Sequence, residues 1–119
     1  MPTPARVAAF VAMVEAGDYV EAIEAFYAEG ATAQENLGRT LTSRDALVAN
    51  ERAALTRNII VARKGSIALL DGDRVAIRWV FKMTDGPGTT RVLDEIAWQR
   101  WDGDRIVEER FYYDPSQLR

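Results

Sequence analysis

Two stretches of alternating apolar and polar residues near the C-terminal end predict a long β-hairpin. Residues 89–114 read TTRVLDEIAWQRWDGDRIVEERFYYD. A Gly flanked by Asp, at 102–104, separates two runs rich in β-branched and aromatic residues, and this is a hairpin signal. Successive side chains of a strand point to opposite faces, and each face here carries both apolar and charged residues. We therefore expect both faces of this sheet to be covered, one by a cavity and the other by a partner.

The N-terminal half shows apolar residues at the three- and four-residue steps of helices. The pattern predicts a first helix from Pro4 to Ala16, a second from Asp18 to Gly30 and a third from Ser43 to about Arg57. Residues 31–36 form a short extended piece between the second and third helices.

Strands fill the remainder of the chain. Residues 58–70 predict a strand that is broken near Lys64-Gly65, and residues 75–83 alternate as one continuous strand. Helices come first and long antiparallel strands follow, which is typical of the α+β class. The 119 residues suffice for one domain, so we expect a single domain over residues 1–119.

The amino-acid composition excludes several classes of partner and of catalytic site. The net charge is −3 with the basic residues dispersed, which argues against nucleic acid or an anionic membrane as partner. The chain has no Cys and no His, so disulfides, thiol nucleophiles, Ser-His triads and the usual zinc sites are excluded. Acid–base chemistry then falls to Asp, Glu, Tyr or Lys, and no metal or organic cofactor is expected. The N-terminal segment lacks a signal-peptide pattern and no run of residues suits a membrane span, so we expect a cytoplasmic protein.

Three segments carry a resemblance to a known family: VEAGD, then FYAEGATAQENLGR leading into SRDAL, and RWDGDRIVEERFYYD. In this order they resemble the nuclear transport factor 2-like superfamily, and within it the SnoaL-like domains and the related ketosteroid isomerases. The resemblance implies a cone-shaped, curved antiparallel sheet wrapped around N-terminal helices, with a mostly apolar pocket. It also implies dimerisation through the outer face of the sheet.

The resemblance also suggests roles for single residues. Glu35 matches the position of the carboxylate base of isomerase-like members, whereas Phe10 and Ala97 stand where those members place two oxyanion donors. Each lost donor costs about 3–4 kcal/mol of transition-state stabilisation, so steroid isomerisation by the known arrangement is not expected. Phe111 stands where the epoxide hydrolase relatives need an Asp, so that mechanism is not expected either.

If the facing of the family holds, aromatic and acidic residues meet on the concave side of the sheet. When two carboxyl groups are buried together in such a place, desolvation and mutual repulsion raise the pKa of at least one of them. A carboxyl group with a raised pKa can act as a general acid or base. The candidate acid–base residues are Glu35, Glu95 and Glu109. The candidate ligand-binding residues are Phe10, Asn36, Trp79, Phe81, Gln99, Trp101, Phe111 and Tyr113.

Structural alternatives stay open at each of these positions. A one-residue slip in register would turn Glu95 and Glu109 outward. Independently of the register, the alternative for Glu35 is a hydrogen bond to nearby backbone, and the alternative for Asn36 is a role in a turn. The large aromatic residues would be ordinary core.

The opposite face of the sheet predicts a two-fold homodimer. Its centre holds Val80, Ile96, Trp98 and Tyr112, among arginines, and large apolar side chains with Arg are typical of interfaces. The alternative is a monomer whose C-terminal tail covers this face.

The first functional hypothesis is a small enzyme that performs proton transfer, isomerisation, cyclisation or hydration on a small apolar molecule. The second is a non-catalytic protein that binds such a molecule, and the third is a dimerisation module with a filled cavity. The sequence does not choose among them, because this fold carries all three.

Overall fold

The computed structural model describes all residues from Met1 to Arg119. Three α-helices, seven β-strands and one short 3₁₀ helix follow one another along the chain. They are α1 (Pro4–Glu15), α2 (Tyr19–Phe26), β1 (Tyr27–Glu35), β2 (Leu41–Thr42), α3 (Arg44–Arg57), β3 (Asn58–Ala62), β4 (Ile67–Asp71), β5 (Arg74–Asp85), β6 (Thr90–Asp102), β7 (Arg105–Tyr112) and the 3₁₀ helix Pro115–Leu118.

The helices begin where the capping residues predicted them to begin. The Thr3 hydroxyl accepts from the Arg6 amide at the start of α1, and the Ser43 hydroxyl accepts from the Ala46 amide at the start of α3. Helix α2 ends at Phe26, four residues before the predicted end at Gly30. The backbone from Tyr27 onward is extended because it forms strand β1, whose hydrogen bonds to β7 and β2 replace those of a helix.

All seven strands form one strongly curled sheet in the order β2-β1-β7-β6-β5-β3, with β4 also paired to β5. The pairs from β3 to β7 are antiparallel, as the sequence predicted, and the gap between β3 and β4 includes Lys64-Gly65. Strand β1 runs parallel to β7, so the sheet is mixed. The predicted α+β fold with a curved sheet around the N-terminal helices is confirmed.

The core lies between the helices and the concave face of the sheet. Phe10 of α1 makes edge-on ring contacts with Phe26, Tyr27, Trp79 and Trp101, with ring centroids 5.3–6.1 Å apart. Burial along β6 alternates as predicted, with the odd positions from 93 to 101 buried and even positions such as Ile96 and Trp98 exposed. The sheet therefore has the predicted register, and the alternative in which Glu95 and Glu109 face outward is wrong.

The outer face leaves large apolar side chains in contact with solvent. Ile96, Trp98 and Tyr112 are 41–45% exposed. The C-terminal tail does not cover them, because Gln117 exchanges side-chain hydrogen bonds with the backbone of Asp94 along β6, beyond the last residue of β6 that pairs with β7. The alternative of a covering tail is thus wrong, and the homodimer stays a prediction. No helix combines the length and the apolar character that a membrane crossing needs.

Candidate functional site

A cavity of about 720 Å³ lies between the three helices and the concave face of the sheet. Eighteen of its 28 lining residues are hydrophobic, so its wall is mostly apolar, as is usual for sites that bind small molecules. Seven aromatic side chains contribute to the wall: Phe10, Tyr19, Tyr27, Trp79, Phe81, Phe111 and Tyr113.

Four glutamates line the same cavity and differ in depth. Glu95 on β6 and Glu109 on β7 are buried, with 6% and 3% of their surface exposed. Glu51 on α3 is half-buried, and Glu35 at the end of β1 is exposed. None of the four forms an ion pair. Their carboxyl groups are also not grouped closely enough for three of them to hold one metal ion.

Glu109 is held by two hydrogen-bond donors. The Tyr27 hydroxyl donates to its Oε1, and the Gln99 amide donates to its Oε2 over 2.6 Å. The orientation of the Gln99 amide is itself fixed, because the indole Nε1 of Trp101 donates to Gln99 Oε1 over 2.9 Å. Burial raises the pKa of Glu109 to about 7, against the two donors, which lower it.

Glu95 has no such partners. Its carboxyl group makes no hydrogen bond and no ion pair, although it lies on the concave face directly opposite Trp79 of β5. Burial raises the pKa of Glu95 to about 8, and the charge of Glu109 adds to the effect. Glu95 therefore carries a proton at neutral pH that no protein group accepts.

Glu35 lies at the mouth of the cavity with Tyr113. The Tyr113 hydroxyl donates to Glu35 Oε2 over 3.2 Å, and partial burial together with the charge of Glu35 raises the pKa of Tyr113 to about 12. The carboxyl group of Glu35 bonds no backbone group, contrary to that alternative. Asn36 does form a turn, with φ of 49°, and its side chain accepts from the Tyr113 amide while also lining the cavity.

The structure brings most of the predicted site residues to one place. Nine of them line the cavity: Phe10, Glu35, Asn36, Trp79, Phe81, Glu95, Glu109, Phe111 and Tyr113. Gln99 and Trp101 do not line it, because both are fully buried: the Trp101 ring packs edge-on against Phe10, and the Gln99 side chain is bonded to Glu109 and Trp101.

Two of the lining residues that sequence analysis did not identify, Tyr27 and Glu51, bear directly on the buried carboxyl groups. Tyr27 falls within the predicted second helix, although it begins β1 and its hydroxyl donates to Glu109. Glu51 has a signal that sequence reasoning passed over, since Leu47, Glu51 and Ala54 share one face of α3 at helical spacing and all line the cavity. Burial and the charge of Glu35 raise the pKa of Glu51.

Comparison with solved structures shows the same fold in proteins of low identity. A protein from Xanthomonas campestris proposed to be a polyketide cyclase superposes with a TM-score of 0.83 and 21% identity, over 96% of this chain and 91% of that one. A protein with a ketosteroid isomerase-like fold from Catenulispora acidiphila, in complex with trimethylamine, gives 0.76 and 22%, over 98% and 90%. An LEH-like epoxide hydrolase from M. tuberculosis gives 0.76 and 16%, over 95% and 83%.

At the level of sequence, a search of curated proteins found no significant match. Residues 7–109 match the model of the SnoaL-like domain family, which is most of the chain. Together with the curled sheet, the cavity beneath the helices and the predicted resemblance, this match means that the protein belongs to the SnoaL-like domain family.

Proposed function

We propose that the protein is an enzyme that moves a proton on a small, mostly apolar carbonyl compound, in an isomerisation or a cyclisation. Glu109 is the general base and Glu95 is the general acid. The observation that carries the proposal is that two buried carboxyl groups line one cavity in opposite environments, one with two donors and the other with none.

The environments separate the two roles. Hydrogen bonds from Tyr27 and Gln99 favour the ionised form of Glu109, and an ionised carboxylate can accept a proton. Glu95 lacks donors and stays neutral, so that its hydroxyl can donate. Pairs of titratable groups whose surroundings push their pKa values apart are the usual mark of an acid and a base. Between about pH 7 and 8 the pair holds one proton.

The arrangement also replaces the oxyanion donors that the sequence lacks at Phe10 and Ala97. Glu95 lies two residues from Ala97 on the same face of β6, so a carbonyl oxygen bound there meets a neutral carboxyl donor. Such a donor stabilises the negative charge that develops when a neighbouring C–H proton leaves. Glu109, on the adjacent strand, would take that proton.

Relatives with this fold support the class of reaction. The Xanthomonas protein is proposed to be a polyketide cyclase and the M. tuberculosis protein is an epoxide hydrolase, and both reactions need proton transfer to or from a small organic molecule. The Catenulispora protein is in complex with trimethylamine, which supports binding of small molecules by this fold.

The test uses 3-cyclohexen-1-one, whose conversion to the conjugated enone requires removal of one proton and stabilisation of an enolate. We expect a rate maximum between about pH 7 and 8, because the base must be ionised and the acid protonated. Glu95→Gln and Glu109→Gln should each lower kcat/KM by about 100-fold or more, whereas Glu24→Gln, on the exposed side of α2, should not.

Other outcomes assign the chemistry differently. If Glu35→Gln abolishes turnover and Glu109→Gln does not, then Glu35 is the base, as the family resemblance implies. If a panel of cyclic enones binds in the cavity and none is converted, then the protein binds such molecules without catalysis, and the enzyme proposal is wrong.

A further inference from the structure

Two carboxyl groups of the cavity wall are not needed for the proposed acid–base chemistry. The acid–base proposal uses Glu95 and Glu109 and leaves Glu35 and Glu51 without a role. Both line the cavity, Glu35 with an exposed side chain and Glu51 partly buried on α3. The one basic residue of the wall, Arg39, forms no ion pair with either of them.

These two carboxyl groups line the same cavity, and no cationic side chain pairs with either of them. The charge of Glu35 is one of the two causes that raise the pKa of Glu51. Like charges at the edge of an apolar cavity destabilise each other unless an opposite charge lies between them. No protein group supplies that charge, because the only side-chain partner of Glu35 is the neutral Tyr113 hydroxyl and Glu51 has none.

The surroundings favour an organic cation over other charged groups. The Tyr113 ring lies at the same opening, and aromatic faces attract ammonium groups. No three acidic groups are placed to hold a metal ion. The rest of the wall is mostly apolar and aromatic, and it includes the carboxyl group of Glu95, which has no protein hydrogen-bond partner and is open to the cavity, where a ligand oxygen could accept from it.

We infer that the ligand is an aminocarbonyl compound: an apolar molecule with a protonated amine or quaternary ammonium group at one end and a carbonyl oxygen at the other. The cation lies between Glu35, Glu51 and Tyr113 at the mouth, and the oxygen accepts from Glu95 in the interior. The inference rests on the proposed function, since it places the reacting carbonyl beside the proposed acid and base. It adds the charge of the substrate and a role for Glu51.

The test compares two probes of nearly equal shape, the 4-(trimethylammonio)phenol cation and neutral 4-tert-butylphenol, by calorimetry and by NMR shifts of cavity residues. We expect the wild-type protein to bind the cation about tenfold or more tightly than the neutral probe at low salt. Added salt should weaken binding of the cation and leave the neutral probe unchanged.

The Glu35→Gln and Glu51→Gln double variant should lose this preference while it keeps its affinity for the neutral probe. Both positions are at least partly exposed, so the fold should tolerate the change. The matched control is the Glu24→Gln and Glu29→Gln double variant, which removes two exposed carboxylates outside the cavity and should keep the preference.

The inference is wrong if the wild-type protein binds the neutral probe as tightly as the cation, or if the double variant retains the preference. These outcomes are distinct from failure of the proposed function. Conversion of the enone without any cation preference would support the proton-transfer reaction and contradict the charge of the substrate. A preference for the cation without conversion of any enone, charged or neutral, would support the charge of the ligand and contradict the proton-transfer reaction.

Discussion

Replacement of Glu95 by Gln should stabilise the protein at neutral and alkaline pH, and not in acid. Glu95 has a pKa of about 8 in the folded protein, against 4.5 when unperturbed, because it is buried without a partner. The folded state therefore binds a proton that the unfolded state has released. Stability from this group is fully present below about pH 4.5 and is lost as the pH rises towards 8. Gln cannot ionise, so the variant escapes that loss.

The magnitude follows from the two pKa values. Each unit by which the pKa differs between the folded and unfolded states corresponds to about 1.4 kcal/mol. At about pH 7 the unfolded Glu95 is ionised and the folded one is mostly neutral, so the free energy of unfolding of the wild type is reduced by about 3 kcal/mol relative to about pH 4. The amide of Gln also lacks partners at this site, but that contribution does not change with pH. The pH dependence of the difference between the two proteins therefore isolates the ionisation of Glu95.

Urea unfolding followed by tryptophan fluorescence measures this difference. Curves at several values between about pH 4 and pH 7 should show the variant gaining about 3 kcal/mol on the wild type across that range. Glu24→Gln, an exposed change of the same kind on α2, should follow the wild type. A difference between Glu95→Gln and the wild type that stays constant with pH would mean that Glu95 titrates normally in the folded protein. The proposal that Glu95 is the general acid would then be wrong.

Three further predictions concern other parts of the molecule. Tyr27→Phe removes a donor from Glu109 and should raise the pKa of that carboxyl above about 7 in a ¹³C NMR titration, and an unchanged value would contradict the hydrogen bond. We propose that the exposed outer face forms a two-fold homodimer, so Trp98→Glu should give monomers in sedimentation, and a dimer of unchanged mass would place the contact elsewhere. Ser43→Ala should cost about 1 kcal/mol of stability in urea unfolding because the Ala46 amide loses its cap. Ser43→Gly should cost less, since Gly tolerates the φ of 95° at this position, and equal losses would refute the argument.

The pattern of apolar and polar residues was sufficient to predict the elements that bury one face. Alternation along β6 placed Glu95 inside and Trp98 outside, and the structure agrees. The end of α2 was placed wrongly because Ala28 and Glu29 are residues that helices favour, so the local sequence gives no reason for the helix to end at Phe26. The extended backbone begins at Tyr27, which pairs with Ile106 of β7, about 80 residues further along the chain. Local pattern carries no information about such a partner.

The sequence was sufficient to predict which residues lie together in the candidate site. It was not sufficient to predict which groups surround and bond to each of them. The alternation of side chains along β6 and β7 placed Glu95 and Glu109 on the concave side of the sheet. It gave no reason to distinguish the two carboxyl groups. Their difference depends on which donors reach which oxygen. That is decided by Tyr27, 82 positions away from Glu109, and by Gln99 on the neighbouring strand. The same alternation also placed Gln99 and Trp101 on the concave side without showing that they are fully buried and do not line the cavity.

Two of the residues that set the charge of the site, Gln99 and Trp101, do not line the cavity themselves. Trp101 can only donate, so it fixes the oxygen of Gln99 towards itself and leaves the amide hydrogens for Glu109. With Tyr27 on its other oxygen, Glu109 becomes the more acidic of the two buried carboxyl groups, and repulsion from it helps Glu95 to keep a proton. A relative that keeps the cavity wall but changes Gln99 or Trp101 would keep the shape of the site and lose its division into acid and base.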